Sequence, residues 1–444
     1  MILTILICKI ILFFGNIVGR GSTLPGQIAL KLNKNILTKF KIPKNVIAVT
    51  GSSGKGTTST MITSVLRSQG KKVVHNHRGG NLKPGIVTML IEGSSLTGKI
   101  KADYLVYEID ERYIKQVVQY LKPQVIVITN IVRDQPPRQG HFDFVYEDIK
   151  RCLSKDMHLI LNSDDPYLQK FVLETDCKAT YYGINKNAYS YVQNDYENLV
   201  IQHCPICNQK LKYKYYNFEI YGDYSCPKCG FKRETPEYAV TKVDYEKAIM
   251  VINDKYEIRI LNNLLYNINN IAATVATLGY LGFNLDDFIP EINNSKYDHK
   301  LYNHYLYNDK EIFVFYNKNE NSTSFNQSLN FVCRNKELKT VVIGWETISH
   351  RYKFTDVSWI YDINFESLNK ANVDKFICVG DYAYDIATRL KLAGFEKKDI
   401  QAFPNLNDAL DTILNKSKGN VYAVVNPDYV LPLLHMLKGK EKWK

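Results

Sequence analysis

Residues 46–60 read VIAVTGSSGKGTTST: a β-branched run, a Gly- and Ser-rich turn holding one lysine, then a helix-forming stretch. Val46, Ile47, Ala48 and Val49 predict a buried parallel strand, and Gly51 and Gly54 let the backbone turn tightly beside an anion. The amides of Ser52, Ser53, Gly54 and Gly56, at the start of the next helix, can then cradle phosphate oxygens. Lys55 adds a point charge, and the hydroxyl of Thr57 or Thr58 can reach a Mg²⁺ ion. The pattern departs from the strict Walker form, because Val49 rather than Gly stands five places before Gly54. A Gly/Ser turn with a solvated lysine is the bland alternative. The strand before and the helix after favour a loop that binds ATP.

A second chemistry sits at Cys204-Pro-Ile-Cys207 and Cys226-Pro-Lys-Cys229, two C-x₂-C pairs separated by eighteen residues. Each pair predicts a tight knuckle with both thiolates aimed at one ion, and the intervening hairpin joins the knuckles into a tetrahedral S₄ site for Zn²⁺. Four sulfurs leave no open coordination position, so the expected role is structural. Pro205 and Pro227 stiffen the turns, and Gly230 lets the chain leave with positive φ. Tyr213, Tyr215, Tyr216, Phe218 and Tyr224 alternate as a strand face does, and packing accounts for them as well as nucleic acid would. Cys8, Cys152, Cys177, Cys333 and Cys378 read as small buried apolar residues.

A chain of 444 residues exceeds one compact core, so about two or three domains are expected. The composition is globular, with 45% hydrophobic and 23% charged residues. A net charge of +12 fits an anionic partner or a dispersed basic surface, and no run of five Lys/Arg decides between them. Nine cysteines at irregular spacing point to a reducing cytoplasm rather than a disulfide framework. The first eighteen residues, MILTILICKIILFFGNIV, lack a basic leader and a clear cleavage site, and Lys9 interrupts them. They predict an apolar helix packed on the body, with peripheral contact at the inner face of the membrane as the second reading.

Strand and helix patterns alternate after the loop: Lys72–His75, Tyr104–Glu108, Val125–Asn130 and Leu159–Asn162 as strands, then a helix opening at Asp164-Asp165-Pro166. This is an α/β chain with a doubly wound, mostly parallel sheet, whose ligand crevice lies beyond the carboxyl ends of the strands. Thr50-Gly51, Glu108–Glu111 and Thr129-Asn130 fall at such ends. Ala239–Leu261 predict antiparallel strands and Asn267–Tyr280 an Ala-rich helix. A polar stretch at 293–310 reads as a hinge, after which Ile312–Tyr316, Val341–Gly344, Phe376–Gly380, Gln401–Phe403 and Val421–Val425 predict the strands of a second α/β domain.

Together these blocks resemble the Mur ligase superfamily, and within it the MurT family of ligase-like subunits. The resemblance runs nearly end to end. It rests on Gly21–Lys31, the TGSSGKGTTS loop, His75–Ile86 (HNHRGGNLKPGI), Tyr107–Glu111 (YEIDE), Thr129–Gln135, Leu161–Pro166 (LNSDDP) and Tyr266–Ala273. The cysteine ribbon and the block Asp356–Glu366 (DVSWIYDINFE) resemble MurT specifically. The resemblance implies an N-terminal segment over 1–37, a Mur ligase central ATP-binding domain over 38–295 with the zinc ribbon inserted at 200–236, and a C-terminal Rossmann-like α/β domain over 305–444.

It also implies a chemistry: ATP activates a carboxylate as an acyl phosphate, and ammonia from a class I glutaminase partner of the GatD kind attacks it. The carboxylate would be the α-carboxyl of D-glutamate in a lipid-linked peptidoglycan precursor. Carried over by position, Gly51, Gly54 and Lys55 would hold phosphates, Thr57 and Glu108 the Mg²⁺, and Asn267 and Asn270 would face the adenine. Asp356 would complete the partner's Cys-His pair. Capping explains an Asn near a helix start equally well, a solvated strand end a Glu, and a turn cap before strand-like Val357–Ile360 explains Asp356. The chain departs from the family at 136–141 (PPRQGH), 297–301 (YDHKL), 320–326 (ENSTSFN) and 353–356 (KFTD), where the family has LDRYGE, an Arg-centred linker, KNPAGFN and DGRD. A stand-alone ligase of the folylpolyglutamate synthase type and a non-enzymatic zinc-ribbon module are the alternatives. No recognition helix or aromatic-basic run supports nucleic acid.

Overall fold

The computed structural model describes residues 1–17, 21–78, 80–132, 142–194, 202–260, 264–294, 302–315, 322–345 and 357–437. Asp356 and the stretches 136–141, 297–301 and 353–356 lie outside the described residues, as do 320 and 321.

The β-branched runs form the centre of the first unit. Its strands are β1 (Asn45–Thr50), β2 (Val73–His75), β3 (Tyr104–Glu108), β4 (Val125–Ile128), β5 (His158–Asn162) and β6 (Lys178–Ile184). A separate hairpin, β7 (Lys212–Phe218) and β8 (Tyr221–Ser225), precedes β9 (Tyr238–Asp244), β10 (Ile249–Ile252) and β11 (Tyr256–Arg259). The nine-stranded sheet runs β11-β10-β9-β6-β5-β4-β1-β3-β2, parallel from β9 to β2 with an antiparallel edge at β10 and β11. Side-chain alternation divides β1 between two cores. Val46 and Ala48 face a core capped by α1 (Ile2–Ile17), α2 (Leu24–Leu32) and, through Ile86 to Ile91, α4 (Lys83–Gly93). Ile47 and Val49 face α3 (Lys55–Ser68) and the helix Leu265–Tyr280. Helices on both faces of a mostly parallel sheet are the doubly wound arrangement expected.

The second unit has six strands, β12 (Tyr302–Tyr307), β13 (Lys310–Phe315), β14 (Lys339–Gly344), β15 (Val373–Val379), β16 (Ile400–Phe403) and β17 (Asn420–Val425), in the order β12-β13-β17-β14-β15-β16. All pairs are parallel except β12 with β13. Val342 and Ile377 face one core, Val341 and Cys378 the other. Cys378 is thus the small buried residue expected, whereas Cys152 and Cys333 are only half-buried.

Two local expectations change. Residues 302–307, assigned to a hinge, form β12, because Asn308 and Asp309 both take left-handed φ (45° and 62°) and make a two-residue hairpin turn onto β13. The strand-like Val357–Ile360 is instead the start of a 3₁₀ turn, Ser358–Asp362, which buries Trp359 edge-on against Trp345. The units also touch directly. Tyr266 N–H donates to Gln327 Oε1 at 3.0 Å, and the Arg334 guanidinium lies 3.7 Å from the Tyr245 ring centre.

Candidate active site

β1 delivers the loop, and β4 holds it in shape. Ser52 N–H donates to Asn130 O at 2.9 Å, and Ser53 N–H to Asn130 Oδ1 at 3.0 Å. Asn130 Nδ2 and Thr129 Oγ1 return hydrogen bonds to Ser53 O, at 3.0 and 2.6 Å. Gly51 (φ 124°) and Gly54 (φ 84°) occupy conformations that L side chains rarely adopt. A Cβ on Gly54 would collide with Asn270 Oδ1, so the loop and the helix Leu265–Tyr280 meet with no room for a side chain.

Glu108 sits at the carboxyl end of β3, beside the start of α3. Asn76 clamps its backbone, accepting from Glu108 N–H at 2.9 Å and donating to Glu108 O at 2.8 Å. Asn81 Nδ2 donates to Glu108 Oε1 at 3.1 Å. The other carboxylate oxygen faces the loop, where a Cβ on Gly56 would approach it to 3.1 Å. Thr57 follows on the first turn of α3, half-buried, while Thr58 is buried. A hard-oxygen set for Mg²⁺ at Thr57 and Glu108 therefore fits by residue type and neighbourhood.

Lys55 does not stand free. Its Nζ folds back over the loop, donating to Gly51 O, to Ser52 O at 3.3 Å and to Glu111 Oε2 at 3.0 Å. Burial alone would strip the lysine of its charge; Glu111 first and Glu108 next outweigh it, holding the ammonium above its ordinary pKa. Burial raises the Glu111 carboxyl, with Lys55 opposing. Neighbouring Asp110 is paired with Arg112 at 3.0 Å.

Asn267 and Asn270 are both buried. The helix is capped at Leu264 with no side-chain cap, so capping does not account for either. Asn270 lies against the phosphate loop itself, its Nδ2 buried without a hydrogen-bond partner among the described residues; Thr58 Oγ1 is in the same state. Buried polar atoms of this kind beside a glycine-rich loop suit a bound polar ligand.

The four cysteines converge, with all four Sγ atoms within 4.8 Å of one another. Cys204 Sγ lies 3.6 Å from Cys229 Sγ, and Cys207 Sγ 3.5 Å from Cys226 Sγ. Although burial opposes it, the amides of Cys229 and Lys228 pull the Cys226 thiol down to about 6, whereas burial pushes the Cys204 thiol up to about 12. The aromatic side chains pack: Tyr213 stacks on Tyr216 at 4.2 Å, and buried Tyr224 donates to Gln169 Oε1 at 2.8 Å. The insert is pinned to the sheet by the buried pair Arg233–Asp164 at 2.8 Å. At its tip, Glu219 accepts from Asn326 Nδ2 at 2.6 Å in the second unit.

A parallel sheet carrying a glycine-rich phosphate-type loop, with a carboxylate at the next strand end, is a nucleotide-binding arrangement, and two family models make this one a Mur-type ATP-dependent ligase. The Mur ligase middle domain model matches residues 49–226, and the MurT ligase C-terminal model matches residues 319–429. The chain belongs to the MurT family. It is 31% identical to the Staphylococcus aureus (strain COL) lipid II isoglutaminyl synthase (glutamine-hydrolyzing) subunit MurT over 422 residues, covering 94% of this chain and 93% of that one. It is 28% identical to the subunit of the same name from Streptococcus pneumoniae (strain ATCC BAA-255 / R6), covering 95% and 94%. Among solved structures it is similar to a pseudomurein peptide ligase type C from Methanothermus fervidus, with TM-score 0.69, 23% identity, and 91% and 81% of the two chains covered. The MurF ligase from Thermotoga maritima in complex with ADP shares the fold at TM-score 0.60 and 18% identity, covering 94% and 84%.

Of the residues that shape the site, Asn76 and Asn81 are given no role by the sequence, and Glu111 and Asn130 are placed at strand ends without one. All fall in family-like blocks at strand ends, which is the signal that could have found them.

Proposed function

We propose that this chain is the ATP-dependent subunit that amidates the α-carboxyl of D-glutamate in the lipid II stem peptide, giving D-isoglutamine. The observation that carries the reading is the meeting of the Gly51–Thr58 loop, Glu108 and Asn270 at one end of the sheet. The amides of Ser52, Ser53, Gly54 and Gly56 with the α3 N-terminus would hold the phosphates of ATP. Lys55 would stabilise charge on the transferred phosphoryl group, and Asn267 and Asn270 would line the nucleotide's site. Thr57 and Glu108 would hold Mg²⁺, which when bound neutralises phosphate charge. The γ-phosphoryl group passes from ATP to the carboxylate oxygen, leaving ADP, and ammonia then attacks the acyl carbon, releasing inorganic phosphate and a proton to give the amide. Cys204, Cys207, Cys226 and Cys229 would bind one structural Zn²⁺.

An acyl phosphate open to water hydrolyses, so ammonia must arrive from a docked subunit. The relatives' name, glutamine-hydrolyzing synthase subunit, supports a partner that hydrolyses glutamine. In this reading it is a class I glutaminase of the GatD kind, docked around Asp356–Asp362. Asp356→Asn tests this with one amidation assay run on two nitrogen sources. Glutamine-driven amidation should fall far more than ammonium-driven amidation, with the complex intact. Equal losses would assign Asp356 to the ligase chemistry. A chain purified from its native cell without a glutaminase would favour the stand-alone ligase.

A further inference from the structure

We propose that α1 is a docking surface for an anionic lipid leaflet, lying along the membrane with its free face among the lipid chains. The helix has two faces. Ile5, Cys8, Leu12 and Gly15 are buried. On the other side Leu3, Leu6, Ile10, Phe13, Phe14 and Ile17 are 41–71% exposed. At helical spacing those six fall within an arc of about 120°, a continuous apolar stripe rather than scattered single residues. No acidic residue interrupts the helix, and Lys9, at the edge of the stripe, points its Nζ inward to Glu92 O at 3.2 Å. Sixteen residues span about 24 Å, short of the ~30 Å hydrocarbon core. No described helix is long and apolar enough to cross a membrane. Such a helix lies in the interface plane.

The distribution of charge selects the occupant. Residues 1–102 contain 15 of the 57 Lys and Arg but only 1 of the 45 Asp and Glu, so this segment carries +14 and the remainder −2. The net basicity is therefore concentrated in the segment that bears the stripe. Exposed Lys39, Lys41 and Lys99 gather where α1 begins: Met1 packs beside Gly98, and Lys41 N–H donates to Gly98 O at 2.9 Å. Covering the stripe with a second copy would bring two strongly positive segments together. An anionic leaflet satisfies the apolar face and the lysine collar at once. The inference rests on this face and its charge, and it adds to the proposed reaction a reason for meeting a lipid-linked acceptor at the bilayer.

Co-sedimentation of the full chain with vesicles tests it, using phosphatidylcholine alone and an equal mixture with phosphatidylglycerol, both free of any peptidoglycan precursor. Binding to the anionic vesicles should be at least about tenfold tighter and should weaken with salt. Phe13→Glu with Phe14→Glu should cut that binding by about tenfold or more, with thermal stability and ATP binding unchanged, since both rings face solvent. Lys39→Glu, Lys41→Glu and Lys99→Glu together should remove most of the preference for anionic lipid. No binding by the wild type, or full binding by the phenylalanine variant, would overturn the proposal. So would a phenylalanine variant that turns a lipid-free dimer into a monomer, which would give the face to a second copy. Because the vesicles contain no acceptor, such failures leave the ligase reading untouched; loss of ATP-dependent amidation in detergent would be the separate failure of that reading.

Discussion

Glu111 Oε2 holds Lys55 Nζ at 3.0 Å inside the loop, with the carboxylate side chain fully buried and the lysine side chain 12% exposed. The ammonium also donates to the carbonyls of Gly51 and Ser52, so the loop's own charge is tied down at its base. Phosphate binding must exchange those carbonyl partners for phosphate oxygens, while Glu111 keeps the lysine charged. Such a pair is expensive to break and adds little if replaced whole.

That asymmetry gives a double-variant prediction. Lys55→Met leaves the buried Glu111 carboxylate without its ammonium partner, and should cost about 3–5 kcal/mol in urea unfolding. Adding Glu111→Gln should restore most of that stability. ATP-dependent amidation should stay about 10²-fold down in both variants, since neither has the charge that meets the phosphoryl group. If the double variant regains activity, Lys55 acts only through folding.

Gly54 and Gly70 separate site from strain. Both have positive φ, 84° and 74°. A Cβ at Gly54 would strike Asn270, whereas one at Gly70 would meet nothing within 4 Å. Alanine at either should cost about 1–2 kcal/mol of backbone strain. Only Gly54→Ala should weaken ATP binding, by about tenfold or more measured calorimetrically. Equal affinities in the two variants would remove the loop from the nucleotide site.

The cysteine cluster predicts one equivalent of zinc per chain by elemental analysis, dropping sharply in Cys226→Ser. Because thiolates gathered without an ion repel, chelation should lower the melting temperature of the wild type. A metal-free protein that melts at the same temperature would falsify the structural role.

The legibility of this chain in its sequence followed the range of the interaction concerned. The β-branched run Val46–Val49 and the turn glycines act locally, and the loop formed where expected. Both C-x₂-C knuckles are local too, and only their convergence needed the β7–β8 hairpin. Tyr302–Tyr307 misled because its Asn- and Tyr-rich composition reads as linker, while the decisive signal was the Asn308-Asp309 turn and a partner strand of apolar alternation. The motif presents Lys55 as a charge awaiting phosphate. That Glu111 holds it could not be read from spacing, because the two lie 56 residues apart and meet only when β1 and β3 pair. Nor does pattern reveal that Asn270 presses on Gly54, a contact between elements more than two hundred positions apart.

Glu219 yields the last prediction. It sits at the tip of the cysteine-bearing hairpin with left-handed φ of 47°, and accepts from Asn326 Nδ2 at 2.6 Å and Thr323 Oγ1 at 3.4 Å. Burial pushes its carboxyl up to about 7; the two hydrogen bonds oppose this, and Asp362 adds to it. The folded state therefore keeps a proton that the unfolded chain gives up near 4.5. Below that pH both states are protonated and the contribution to stability is complete. As pH rises toward 7 the contribution is lost, and above 7 the difference is flat. Glu219→Gln preserves the shape but cannot titrate. In urea unfolding across pH 5 to 8, the wild type should fall steadily relative to the variant up to about pH 7 and no further. A constant gap across that range would show that Glu219 is not held as a protonated link between the ribbon hairpin and the second unit.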